Sequence, residues 1–118
     1  MGKVTRRGIA LVLGGTLLLG SVGVAVAATT TVRAKGERWR PLHTYVGRND
    51  TVRWLNPTSR VHHLKAYGGG WTFSKVLDPG ESVSRRFKEG GTFQYRCVRH
   101  SALADGMCDG MCGLVHVT

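Results

Sequence analysis

The sequence predicts an all-β domain, a sandwich or barrel of about eight strands, and three observations predict it. Short runs rich in β-branched and aromatic residues recur along the chain. Breaks fall between them at Gly47–Asp50, Asn56–Pro57, Gly68–Gly70, Asp78–Gly80 and Gly90–Gly91. No stretch carries the spacing of an amphipathic helix. Length agrees: 118 residues allow one domain. They exclude a multidomain oxidase, a Rossmann enzyme with a separate substrate domain, or a large barrel. An apolar content of 42% is too high for a disordered basic tail.

Taken in order, the chain opens on a targeting segment. Lys3, Arg6 and Arg7 precede an apolar stretch beginning at Ile9 and ending at Ala25-Val26-Ala27. A positive start, an apolar middle and a small-x-small site describe a secretory signal peptide over residues 1–27, cleaved after Ala27. The alternative is an uncleaved membrane anchor, since the run is about long enough to span a bilayer. Five glycines between Gly8 and Gly23 weaken it as a stable span. Thr5-Arg6-Arg7 has a faint similarity to a twin-arginine signal. Cleavage leaves a domain of residues 28–118 with fourteen basic and seven acidic residues, a formal +7. Export places it where disulfides persist.

The strand candidates follow: Thr29–Lys35, Leu42–Val46, Thr51–Leu55, Val61–Tyr67, Thr72–Leu77, Ser82–Phe87, Thr92–Cys97 and Leu114–Val117. Alternation is clearest late in the chain. Phe93, Tyr95 and Cys97 share one face, Gln94 and Arg96 the other; Val115 and Val117 point inward and His116 outward. Trp54, Trp71 and Phe87 are expected in the core or at its rim, and His43 on the surface.

The chemistry concentrates after Tyr95. Cys97-x-x-His100 stands at a strand end, Met111 follows, and His62 and His63 lie on an upstream strand. A thiolate, two imidazoles and a thioether make the ligand set of a trigonal copper site with a weak axial sulfur. Thiolate and thioether favour Cu(I), while imidazole serves both oxidation states.

These residues sit in a recognisable frame. The stretch from Gly91-Thr92-Phe93 through Tyr95, Cys97 and His100, then Met111-Cys112-Gly113-Leu114-Val115-His116-Val117, resembles the C-terminal signature of plastocyanin-type cupredoxins. Asp50-Thr51-Val52-Arg53-Trp54-Leu55-Asn56 followed by His62 resembles that family's preceding strand pair, and Asp78-Pro79-Gly80-Glu81 its usual turn. The resemblance covers residues 50–117, with 29–49 fitting loosely. It implies a Greek-key β-sandwich or barrel binding one copper per chain, with Cys97, His100 and Met111 as ligands. The fourth ligand is His62, six residues after Asn56, with His63 as alternate. It further implies a blue copper protein that passes single electrons between redox partners, binds no small-molecule substrate and is not an enzyme.

The loop from His100 to Met111 departs from the family pattern. It holds ten residues, among them Met107, an alternate axial ligand, and Cys108; Cys112 follows Met111. With Cys97 as the copper thiolate, Cys108 and Cys112 are free to pair as a disulfide, which adds only about 2 kcal/mol for so small a ring.

Four other readings stay open. A copper carrier or buffer would use the same ligands. A binuclear copper centre would use Cys108 and Cys112 as bridging thiolates, although no methionine follows His116 in the sequence. A structural zinc site would take Cys97, His100, Cys108 and Cys112. A metal-free exported sandwich would need none of these ligands. The basic residues Arg33, Lys35, Arg38, Arg40, Arg85, Arg86 and Lys88 should steer the domain, expected as a monomer, toward a redox partner with an acidic surface or an anionic membrane surface. No nucleic-acid motif is present.

Overall fold

The structure, a computed structural model, describes residues 26–118. The expected leader, but for Val26 and Ala27, lies outside the described residues. Among them no helix is long and apolar enough to cross a membrane.

Among the described residues nine strands form two facing sheets. In the first, β1 (Thr29–Ala34) lies between β2 (Trp39–Arg40) and β4 (Thr51–Leu55), and β7 (Ser82–Arg86) closes the far edge. In the second the order is β3 (His43–Val46), β9 (Met107–Val117), β8 (Gly91–Ala104), β5 (His62–Tyr67) and β6 (Ser74–Leu77). Both sheets are mixed: β1 runs parallel to β4 and β3 parallel to β9, and the other pairs are antiparallel. The all-β sandwich is as expected, with nine strands in place of about eight.

Period-two patterning explains which side chains fill the space between the sheets. Val32 and Ala34 of β1, Val52 and Trp54 of β4, Leu64 of β5, and Val115 and Val117 of β9 all turn inward. Tyr95 and Cys97 do so from β8, as their alternation predicts. Three large rings fill the middle. Tyr95 meets Trp54 edge-on at 5.2 Å and Trp39 at 5.9 Å. Burial pushes the Tyr95 phenol up from its ordinary pKa. Gly113 lies beneath the Tyr95 ring, where an added Cβ would come within 2.3 Å of Cζ. At the opposite end Asp50 accepts the backbone N–H groups of Ala28 and Gly47, at 2.9 and 2.8 Å, tying the start of β1 to the β3–β4 turn. Those two donors hold its carboxyl below the usual range.

Two elements differ from the sequence expectation. Trp39–Arg40 pairs with β1 as a short strand, and Trp39 is fully buried. The expected ten-residue loop after His100 is instead a β-hairpin arm. Ser101–Ala104 pair with Met107–Gly110 around a tight turn at Asp105 and Gly106. Both turn residues have positive φ, 53° and 77°. This is the conformation that an Asp-Gly pair adopts in two-residue hairpins.

Candidate metal centre

The site forms at one end of the second sheet, where β8 breaks register. Pairing runs to Arg96 opposite Cys112 and resumes at Ser101 opposite Gly110. Residues 97–100 therefore bulge outward across from Met111 alone. The Arg96 guanidinium donates to Ser101 Oγ at 3.1 Å, and Ser101 Oγ–H donates to the Cys97 carbonyl, closing the bulge. Gly110 permits the close passage. Its φ is +108°, and an added Cβ would meet the His100 carbonyl oxygen at 2.5 Å. Cys97 stays inward while His100 folds back beside it.

From the neighbouring strand comes His62. Leu64 pairs with Cys97, so His62, two residues earlier on the same face, is the diagonal neighbour of the thiol. The Cys97 Sγ lies 3.6 Å from His62 Nδ1 and 3.4 Å from His100 Nδ1. The three donor atoms all lie within 4.8 Å of one another, the one such cluster of His, Cys or acidic side chains among the described residues. Metal–nitrogen and metal–sulfur bonds of about 2.0 and 2.3 Å at trigonal angles require N···S separations of about 3.7 Å. The observed spacing fits an ion at the centre of this triangle.

Hydrogen bonds select the tautomer that a metal needs. Asn56 is buried and ties the β4–β5 loop. Its Nδ2 donates to the carbonyls of Arg60 and Leu77, and its Oδ1 accepts from the Thr58 N–H and hydroxyl. With its proton so committed, Thr58 Oγ1 accepts from His62 Nε2–H at 3.1 Å. The Nδ1 lone pair is left facing Cys97. Burial and the charges of His100, Arg60 and Arg99 lower the His62 pKa, opposed by Glu37, so the ring favours its neutral, ligating form. The His63 backbone N–H donates to Cys97 Sγ at 3.3 Å. Trp39 packs at 6.0 Å against the His62 ring.

His100 reaches the surface, with 16% of its side chain exposed. Its Nε2 lies 3.8 Å from a Glu37 carboxylate oxygen, and Glu37 is ion-paired with Arg60. Glu37 sits in the turn of the β1–β2 hairpin, whose strands carry Arg33 opposite Arg40.

The other candidates separate cleanly. Met111 is fully buried in the core cluster with Cys97, whereas Met107 stands at the arm's tip, 74% exposed. His63 turns to the other face and shares a hydrogen bond with Ser74 Oγ at 2.8 Å. Cys108 and Cys112 are joined as a disulfide with their α-carbons 6.2 Å apart. That corrects the binuclear copper and zinc readings, because both need these sulfurs as thiolates. Cys97 is the free cysteine. Thr58, Glu37 and Trp39 escaped the sequence reading. The one acid among Arg33, Lys35, Arg38 and Arg40 was the signal available for Glu37.

No protein-family model and no curated protein matches the chain. Solved structures do resemble it. The reduced state of an amicyanin variant superposes with a TM-score of 0.63 at 22% identity, covering 76% of this chain and 82% of that one. Another amicyanin variant, described as Cu(I), gives 0.63 at 20% identity over 83% and 88% of the two chains. A purple cupredoxin from Nitrosopumilus maritimus gives 0.58 at 20% identity, covering 75% of this chain and 99% of the other. The chain has the cupredoxin fold.

Proposed function

On this fold we propose an exported type 1 copper protein that carries single electrons between redox partners. The observation that carries the reading is the buried triangle of Cys97 Sγ, His62 Nδ1 and His100 Nδ1. In this proposal those atoms would hold one copper ion, with the Met111 thioether supplying a further, weak sulfur donor. Bound copper supplies a couple between Cu(II) and Cu(I).

The chain's own residues do the rest. Thr58 fixes the His62 ring, the β8 bulge fixes His100, and the strand pairs fix Cys97, so the donors keep one arrangement in both oxidation states. The His63 N–H stabilises negative charge on the Cys97 sulfur. Burial excludes water from the thiol. His100, whose edge reaches solvent, is the route by which electrons pass, and the basic β1–β2 hairpin beside it favours a partner with an acidic surface. Residues 1–27 direct export.

Voltammetry of the copper-loaded protein tests this directly. A reversible one-electron wave with fast self-exchange is expected. A chain without such a wave that gives its copper rapidly to an acceptor would instead be a metal carrier.

A further inference from the structure

The disulfide stands at a corner of β9, across from the bulge that carries His100. Residues four apart in an extended strand are separated by about 13 Å, whereas the α-carbons of Cys108 and Cys112 are 6.2 Å apart. The chain therefore turns sharply over Asp109, Gly110 and Met111. Gly110, with φ at +108°, permits the turn. Pairing on either side fixes where the corner falls. Cys112 faces Arg96, the residue before Cys97, and Gly110 faces Ser101, the residue after His100. Between those pairs the ladder is interrupted, so the disulfide is the covalent hold on the corner. Two residues inside the closed ring bear on the ligand set. Gly110 lies against the His100 carbonyl, where an added Cβ would come within 2.5 Å of the oxygen. Met111 is fully buried in the core cluster that contains Cys97. Both half-cystines are partly exposed, so a reductant in solution can reach the bond.

We propose that the Cys108–Cys112 disulfide is a redox-operated clamp on the metal-binding loop. Oxidised, it holds Gly110 against the His100 carbonyl and keeps Met111 in the core. Reduced, it lets the corner open toward strand spacing and loosens both His100 and Met111. The inference rests on the copper reading above. A ring of so few residues restrains the unfolded chain only weakly, so the bond acts locally, on the corner. The reductant is a dithiol, either a small molecule or a protein with paired cysteines. One of its thiolates attacks a disulfide sulfur to form a mixed disulfide, and its second thiol then displaces the remaining cysteine. The dithiol ends as a disulfide and Cys108 and Cys112 end as two thiols, two electrons and two protons having passed between them. In an oxidising compartment the clamp stays shut, and reducing dithiols open it.

Alkylation by iodoacetamide, with peptide mapping to read Cys97 alone, tests the clamp in the metal-free whole chain. The Cys97 thiol is fully buried and should react slowly in the parent. In the double variant Cys108→Ser with Cys112→Ser its rate should rise about 10-fold or more, as local opening of the corner admits the reagent. Should that variant fail to fold by circular dichroism, brief reduction of the folded parent with dithiothreitol before alkylation gives the same reading. Loaded with copper, the folded variant should show a displaced visible band and an affinity lowered about 10-fold in chelator competition. A merely structural bond would lower the melting midpoint but leave Cys97 protection, spectrum and affinity as in the parent, and that result overturns the proposal. Failure of the copper reading looks different. The parent, its disulfide intact, then gives no blue colour, while the Cys97 rate still depends on the disulfide.

Discussion

Thr58 decides which nitrogen of His62 is available. Its hydroxyl proton is spent on Asn56, so it accepts from His62 Nε2 and leaves Nδ1 toward the thiol. Thr58→Val keeps the shape and removes this acceptor. Metal affinity should fall about 10–100-fold, read by competition with a chelator, and unchanged affinity would contradict the role. Stability of the metal-free chain should drop by about 1–3 kcal/mol, because the buried His62 Nε2–H loses its acceptor and Asn56 Oδ1 keeps only the Thr58 N–H of its two donors. The same chain should be acid-sensitive. The folded environment lowers the pKa of both His62 and His63 from the unfolded value of 6.5. Their contribution is therefore complete above about pH 6.5 and is lost as pH falls through the folded values. Urea midpoints of the metal-free protein should decline below that pH, and His62→Gln should flatten the decline. A midpoint independent of pH between neutrality and acid would contradict this.

At the scale of elements, the β8–β9 arm is what converts strand ends into a site. Four residues of β8 face one of β9 because Gly110 lets the strand pass against the His100 carbonyl. Gly110→Ala puts a Cβ into backbone at a positive φ, a clash no rotamer relieves. It should cost about 1–3 kcal/mol and perturb the visible spectrum of the copper-loaded protein through His100. An unaltered spectrum and melting midpoint would show that the arm does not position the ligand. Legibility in the sequence follows element length. The alternation of Phe93, Tyr95 and Cys97 revealed β8's inward face, and the spacing from Cys97 to His100 named two members of the triangle. The arm's one local mark is Asp105-Gly106, a hairpin pair that the expectation of a loop between His100 and Met111 left unused. Trp39–Arg40 is two residues long, too short to show any period, so the ring packed on His62 had no signature. Glu37 and Thr58 act through folds of the chain that bring them to His100 and His62, and spacing along the sequence does not encode such meetings.

For the molecule as a whole, charge and metal set the behaviour. The formal +7 on residues 28–118 is concentrated in part on the β1–β2 hairpin next to His100. Electron transfer with an acidic redox partner should therefore slow as ionic strength rises toward ~0.15 M, where screening acts over about 8 Å. A flat dependence in stopped-flow kinetics would place the docking face elsewhere. The copper triangle is the claim on which the rest depends, and optical titration with Cu(II) tests it most directly. Intense blue absorption should rise with the first equivalent and saturate at one blue centre per chain, and Cys97→Ser should abolish it. A colourless protein whose Cys97 thiol remains intact and freely titratable would contradict the assignment.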